Sequence, residues 1–237
     1  MREPPVITPE ISERAKALVI GAIPSLSPVL FMPALQGRGG TLIDRSGKGN
    51  NGAIVGAAWK RFPRGLPALS FNGNDYVSLG SLTSFPAGSS ARTVLFWAKT
   101  TESPATDWRI VSGYGNDALR QAFNVGQQKT SDKLYVALYG EDIASDYTWV
   151  INTLTHIAVT LSGTTVQFYV NGVLNSTGTA SGTVNTVLTA GTIGKWSGPA
   201  ANYFWKGLIG WVILAPSVLS APVIASIYNR QRTLIGA

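Results

Sequence analysis

The chain has 237 residues, of which 45% are hydrophobic and only 13% charged, with no cysteine and a net charge of +7. This composition excludes a disordered chain, a disulfide framework and thiolate metal sites, and no apolar run approaches the ~20 residues of a membrane-spanning helix. The 26 glycines, 13 prolines, 7 tryptophans, 8 tyrosines and 8 phenylalanines indicate many short strands joined by tight turns.

Residues 1–36 form an arm whose pattern differs from the rest of the chain. Thr8 suits a helix N-cap and Pro9 the first helical position, so a short amphipathic helix is predicted over about 9–20 and is ended by Pro24. A short helix with one apolar stripe is marginal alone, so we expect it to dock on its own sandwich or on a neighbouring subunit. The stripe consists of Ile11, Ala15, Leu18 and Val19. Glu3 lies where a signal peptide would be basic, so no secretory signal is expected.

Residues 37–237 are predicted to form one β domain. A continuous apolar strand is predicted over Thr93–Lys99, and residues 134–139 alternate with the two-residue period of a pleated strand. The segment His156–Leu174 predicts a three-stranded meander, because Asn171 and Gly172 both tolerate the positive φ of a type I′ hairpin turn. Shorter strands are predicted over Arg109–Ser112 and Ala122–Val125.

The C-terminal region predicts one strand and one helix. Residues Leu208–Leu214 read as a buried strand. Ser220 and Pro222 mark a helix start by a cap and an early proline. The apolar face of this helix consists of Val223, Ile224, Ile227 and Tyr228.

Five blocks of the sequence, in order and spacing, resemble the laminin G-like and concanavalin A-like jelly-roll domains of bacterial surface proteins and phage structural proteins. The blocks are Asp44–Ile54, Ala68–Val77, Thr93–Lys99, His156–Leu174 and Phe204–Ile209. The resemblance covers about residues 31–230. It implies an all-β fold, a sandwich of two antiparallel sheets, flanked here by the short N-terminal arm and the short C-terminal helix. Gly210-Trp211 replaces an acidic pair that the family usually carries, which puts any metal or polar role of that pair in doubt.

The family includes glycan hydrolases, but the acids of this chain do not match that chemistry. Glycoside cleavage uses two carboxylates on opposite sides of the bond. No acid occurs from Tyr147 to Ala237, and the adjacent Glu141 and Asp142 point to opposite faces if they lie on a strand. The only histidine, His156, opens an alternating strand and is expected to be structural and hydrogen-bonded. The sequence therefore predicts a protein that is not an enzyme.

Calcium is the one metal with suitable ligand types in the sequence, and no other cofactor is expected. Its candidate ligands are Asp44, Asn74 and Asp75, which supply the hard oxygen atoms that calcium prefers. The same residues are also ordinary turn formers, because Asp and Asn side chains bond their own backbone.

Sugar binding in sandwiches uses exposed aromatic rings with polar neighbours. The candidate residues lie in a turn region over 195–206 and are Trp196, Tyr203, Trp205 and Asn202. Trp196 and Tyr203 serve equally well as packed loop residues. Further loop or strand-end aromatics include Trp108, Tyr139 and Trp149; for Trp108 and Trp149, cover of the core is the favoured interpretation.

Two functions from different classes follow. The first is a structural or adhesion protein of an assembled particle, such as a capsid decoration or tail-associated protein of a phage virion, whose partners are other subunits or copies of itself. The alternative is a carbohydrate-binding module of a secreted or cell-surface bacterial protein. Nucleic acid is not an expected partner, because basic and aromatic residues are not interleaved.

Overall fold

The computed structural model describes residues 26–80, 82–199 and 203–237. They form two antiparallel eight-stranded sheets packed face to face and one helix, α1 (Ala221–Ile235), so the predicted sandwich is confirmed. The predicted N-terminal helix, with Ile11, Ala15, Leu18 and Val19, lies outside the described residues. The strands are β1 (Leu30–Met32), β2 (Thr41–Leu42), β3 (Gly52–Val55), β4 (Ala58–Arg61), β5 (Pro67–Asn72), β6 (Tyr76–Leu79), β7 (Arg92–Thr100), β8 (Arg109–Gly115), β9 (Ala122–Gln127), β10 (Lys133–Ala137), β11 (Asp142–Thr148), β12 (Thr155–Ser162), β13 (Thr165–Val170), β14 (Val173–Thr179), β15 (Gly191–Ile193) and β16 (Lys206–Ala215).

Half of the neighbouring strand pairs join strands that are not consecutive in the chain, as in a jelly roll. Sheet A has the order β14-β13-β12-β7-β16-β5-β4, with β1 also paired to β16. Sheet B has the order β11-β10-β9-β8-β15-β6-β3-β2. The predicted meander is β12, β13 and β14, and its turn has Asn171 at φ 49° and Gly172 at φ 81°, as a type I′ turn needs.

The core lies between the two sheets and follows the alternation of each strand. On β7, Val94, Phe96 and Ala98 face sheet B, whereas Leu95 and Trp97 face away from it. The outward set is also buried, which explains why the whole of β7 reads as apolar in the sequence.

The sandwich begins before the predicted boundary at residue 37. Leu30, Phe31 and Met32 pair with Leu214, Ile213 and Val212 of β16, and all three are buried. The boundary of the predicted arm is therefore wrong for its last residues. Three consecutive apolar residues can fill a strand that is covered on both faces, and the alternation signal is absent from such a strand.

Helix α1 covers the outer face of sheet A. Ile224, Ile227 and Ile235 are fully buried against that face. Trp97 stacks on Tyr228 at 5.8 Å between ring centroids, and its Nε1 donates a hydrogen bond of 2.8 Å to the side chain of Gln231. The helix predicted from Ser220 and Pro222 is thus confirmed, and the central strands β7, β12 and β16 of sheet A are buried on both sides.

His156 lies beneath this helix. Its ring centroid is 5.3 Å from that of Trp97 and 5.6 Å from that of Tyr228, and the residue is fully buried. Neither ring nitrogen has a hydrogen-bond partner among the described residues, so the expectation of a hydrogen-bonded histidine is wrong. Burial lowers the pKa of His156 to about 3, which keeps the ring neutral at physiological pH.

Candidate functional site

An open cavity of about 330 Å³ lies on the outer face of sheet B, the face that no described helix covers. Its volume is at the lower end of the range for small-ligand pockets, which run from roughly 300 to 1,000 Å³. The lining residues are Trp108, Tyr135, Ala137, Tyr139, Gly140, Asp142, Trp196 and Tyr203. Five of these eight side chains are aromatic, which makes the cavity a candidate for ligands with flat faces.

The floor of the cavity comes from β10 and its neighbours. Leu134 and Val136 point into the core, so strand alternation directs Tyr135 and Ala137 outward. Trp108 precedes β8 and stands beside Tyr135, with 4.9 Å between the ring centroids. Tyr135 is buried, whereas Trp108 is only partly buried.

The loop between β15 and β16 supplies the other wall. Trp196 packs edge-on against Tyr203 at 6.0 Å and tilts against Tyr139 at 6.2 Å. The indole Nε1 of Trp196 donates a hydrogen bond of 2.7 Å to Asp117, which fixes the ring. Tyr139 adopts φ 62° in the turn between β10 and β11. Three separate segments therefore bring these rings together.

The electrostatic character of the cavity is acidic. Burial, followed by the negative charge of Asp142 and Asp107, raises the pKa of Tyr135 well above its usual value. Burial and the same two carboxylates also raise the pKa of Tyr203. Partial burial against the cavity wall raises the pKa of the Asp142 carboxyl. Both tyrosine hydroxyls therefore stay protonated near neutral pH and can donate hydrogen bonds.

Glu141 lies just before β11 and takes no part in this wall. Its carboxylate pairs with Nε of Arg120 at 2.5 Å and accepts a hydrogen bond of 2.6 Å from the backbone N–H of Ser181. Asp142 alone of the two lines the cavity.

The structure places Trp196 and Tyr203 together in the cavity but does not place Trp205 there. Trp205 is fully buried between the sheets, with its ring 5.2 Å from that of Trp149, so its assignment to a binding surface is wrong. The backbone N–H of Trp205 bonds the carbonyl of Gly194 and draws the chain into the core. Asn202 lies outside the described residues.

Sequence reasoning identified only part of the cavity. Trp108 and Tyr139 were named among the further loop or strand-end aromatics, with core cover favoured for Trp108, and Tyr135 was not proposed as a ligand contact. The alternation of residues 134–139 does place Tyr135 on the outer face of its strand, away from the core, so the sequence contained a signal for this residue. The proximity of Trp108, Tyr139 and Trp196 was not available, because it depends on the pairing of β8, β9 and β10 and on the path of a loop.

The candidate calcium ligands do not come together. The Asp44 carboxylate accepts hydrogen bonds from the backbone N–H groups of Phe31, Ser46 and Asn50 and from the Ser46 hydroxyl. Asp75 bonds the backbone N–H of Asn72 and lies against Gly56.

Asp44 and Asp75 are therefore at opposite ends of β3. Asp44 lies before β3 begins and Asp75 after it ends, and its four residues span about 13 Å. Asn74 is exposed in the turn before β6. No group of three or more Asp, Glu or His residues in the described ranges could hold a metal ion. The three residues form turns and cannot share one ion.

The fold and the cavity define a lectin-like β-sandwich domain. A family model described as the concanavalin A-like lectin/glucanases superfamily matches residues 71–225, and the chain belongs to this family. The resemblance inferred from the five sequence blocks is confirmed. A search of curated proteins found no match.

Solved structures with a similar fold include a domain of an arabinanase and the binding domains of two toxins. Domain 4 of AbnA, an extracellular arabinanase of family GH43 from Geobacillus stearothermophilus, was solved in complex with arabinotriose; it is 17% identical, with a TM-score of 0.66, and the alignment covers 86% of this chain and 99% of that one. The binding domain of Paraclostridial Mosquitocidal Protein 1 is 14% identical, with a TM-score of 0.67 and coverage of 86% and 52%.

A third similar structure is the binding domain of botulinum neurotoxin DC in complex with rat synaptotagmin II. It is 17% identical, with a TM-score of 0.65 and coverage of 86% and 52%. This chain therefore spans about half the length of the toxin domains that it matches. In the described part of the chain, no helix has the length and apolar character needed to cross a bilayer.

Proposed function

We propose that this protein is a non-catalytic glycan-binding domain and that the aromatic cavity on sheet B is its binding site. The observation that carries the proposal is the open cluster of Trp108, Tyr139 and Tyr203, three partly buried rings on the one sheet face that no described helix covers. Aromatic faces stack on the C–H faces of sugar rings, and the hydroxyls of Tyr203 and Tyr135 with the carboxylate of Asp142 supply hydrogen bonds to sugar hydroxyls.

The carboxylates near the cavity favour binding over cleavage. Hydrolysis uses two carboxylates that flank the scissile bond. Among the described residues, Asp142 is the only carboxylate that lines the cavity. Its neighbour Glu141 is paired with Arg120 instead.

The similar structures support the same proposal. One of them binds arabinotriose and belongs to an extracellular enzyme, and the others are toxin binding domains. We infer an extracellular place of action for this chain as well. A protein receptor is the second candidate ligand, because one of the similar toxin domains was solved with a protein partner.

A binding experiment with matched variants tests the proposal. The protein would be screened on an oligosaccharide array, with arabino-oligosaccharides included, and hits would be measured by titration calorimetry. Trp108→Ala should weaken binding by about tenfold or more. Trp59→Ala, which removes a half-buried indole from edge strand β4 outside the cavity, is the control and should leave affinity unchanged. Equal losses in both variants, or no glycan bound at all, would refute the proposal.

The virion hypothesis stays a prediction. It depends on the N-terminal arm, most of which lies outside the described residues, and the comparisons contain nothing that supports it. Deletion of residues 1–25 leaves β1 intact and tests it directly. Loss of particle or oligomer assembly in the deleted protein, with glycan affinity retained, would support the structural role.

A further inference from the structure

The charge around the cavity is opposite in sign to the charge of the whole chain. The chain carries a net charge of +7. Yet no basic side chain of the described residues lines the cavity, whereas Asp142 lines it and Asp107 immediately precedes Trp108. Because salt screens interactions beyond about 10 Å, the local carboxylates and not the distant bases determine the potential that a bound ligand experiences.

Basic residues beside the lining residues contact other groups of the protein. Arg109 pairs with Glu102 at 2.5 Å, and Arg120 pairs with Glu141 at the same distance. Lys195 lies over the rings of Tyr76 and Phe204, at 5.1 and 5.4 Å from their centroids, away from the lining residues. None of these ion pairs or cation–ring contacts includes Asp107 or Asp142.

The aromatic rings of the cavity also favour a positively charged ligand. The face of an aromatic ring carries negative partial charge and attracts an ammonium group, and the attraction grows when the group is desolvated. Trp108 with Tyr135 and Trp196 with Tyr139 and Tyr203 form two adjoining aromatic groups around Asp142. A carboxylate beside several aromatic rings is an arrangement that attracts organic cations.

We propose that the cavity prefers a saccharide with a protonated amino group, such as a de-N-acetylated amino sugar, over the same saccharide in its N-acetylated or hydroxyl form. This inference rests on the proposed glycan-binding function and specifies the ligand class of that site. Asp142 and Asp107 select the charge, while the rings hold the sugar.

Three tetrasaccharides with one shared backbone test the preference. They are β-1,4-linked oligomers of glucosamine, N-acetylglucosamine and glucose, measured by calorimetry at a mildly acidic pH at which the amine is protonated. The glucosamine oligomer should bind about tenfold more tightly than the other two. The advantage should shrink as salt is added, because it is electrostatic, whereas affinity for the neutral oligomers should change little.

Charge-removing variants identify the residues that carry the preference. Asp142→Asn keeps the shape of the side chain but removes its charge, so the ratio of the affinity for the glucosamine oligomer to that for the neutral oligomers should fall close to one, whatever the change in the neutral affinities themselves. The double variant Asp107→Asn/Asp142→Asn should remove all of the amine advantage. Asp146→Asn is the matched control, because Asp146 is exposed on the same strand but does not line the cavity, and it should behave like the unchanged protein.

The outcomes separate this inference from the proposed function. Tight binding of neutral oligomers with no advantage for the amine would overturn the inference and leave the glycan-binding site intact. An amine advantage that persists in the double variant would also overturn it. Failure of every glycan on the array, including the glucosamine oligomer, would instead refute the proposed function itself.

Discussion

The outer faces of the two sheets both carry clusters of aromatic residues, but only one of them is covered. On sheet A, Trp97 and Trp211 are each 1% exposed beneath helix α1. On sheet B, Trp108, Tyr139 and Tyr203 are only partly buried around an open cavity.

The polar groups of the two faces differ in the same way. Beneath α1, the Trp97 indole bonds Gln231 and the neutral ring of His156 is enclosed by other rings. Around the cavity, Asp142 and the Tyr203 hydroxyl face solvent or a ligand. Aromatic residues alone therefore do not distinguish a structural face from a binding face. The presence of a cover and the charge of the polar groups distinguish them.

The largest expected effect is on the covered face. Ile227→Asp places an unpaired carboxylate in a fully buried position under α1 and should reduce the free energy of unfolding by about 4 kcal/mol or more. Ser226→Asp is exposed on the same helix and should change it by about 0.5 kcal/mol or less. Urea denaturation followed by fluorescence measures both. Similar midpoints for the two variants would mean that α1 is not a structural cover.

The next largest effect on stability is expected at Trp205, which is buried although Tyr203, two positions earlier, lines the cavity. Trp205→Ala removes a buried indole from between the sheets and should cost about 3–5 kcal/mol of stability. If Trp205 is a core residue, the variant should be less stable but should bind ligand with unchanged affinity. That affinity would be measured well below the unfolding temperature of the variant. Unchanged thermal stability would contradict that position.

The acid sensitivity of the covered face follows from His156. Its pKa of about 3 in the folded protein lies below the ordinary value of 6.5. Between these values the unfolded chain binds a proton that the folded protein does not, so the free energy of unfolding should fall as pH falls, by up to about 1.4 kcal/mol per pH unit. Above pH 6.5 His156 should have no effect on the pH dependence.

His156→Phe isolates this contribution. Phenylalanine keeps an aromatic ring between Trp97 and Tyr228 and has no proton to bind. The difference in stability between the variant and the unchanged protein, taken from urea titrations across that pH interval, should therefore grow towards acidic pH. A constant difference would show that the histidine titrates normally.

The smallest effect on stability belongs to the open face. Tyr203→Ala removes a partly buried ring that packs on Trp196 and should cost about 1 kcal/mol or less. The same variant should nevertheless lose most of its glycan affinity, because the ring forms one wall of the cavity. A large fall in the thermal midpoint would place Tyr203 among the core residues and remove it from the proposed site.

Local patterns predicted the elements well where one principle was sufficient. The Asn171-Gly172 turn, the meander around it and the proline at the start of α1 were all predicted from residues adjacent in sequence. Trp211 is a counterexample, because it adopts φ 55° within an irregular stretch of β16. A tryptophan with positive φ has no local signal, and its position is maintained by packing against Phe62 under the helix.

The candidate site was predicted only in part. Trp196 and Tyr203 line one cavity, whereas Trp205, which was predicted to share their surface, is buried in the core. These residues share one short loop and one chemical type. Their different positions depend on where the chain enters the core after Gly194, which is a property of the neighbouring strands and not of the loop sequence.

The sequence by itself determined the strands, the meander and the C-terminal helix, because alternation, turn residues and caps act over a few neighbouring positions and can be read directly, and its family resemblance implied the two-sheet sandwich. Only the tertiary structure decided which aromatic residues are covered and which form a cavity. That choice depends on strands and loops distant in the chain, whose approach is determined by the packing of the whole domain.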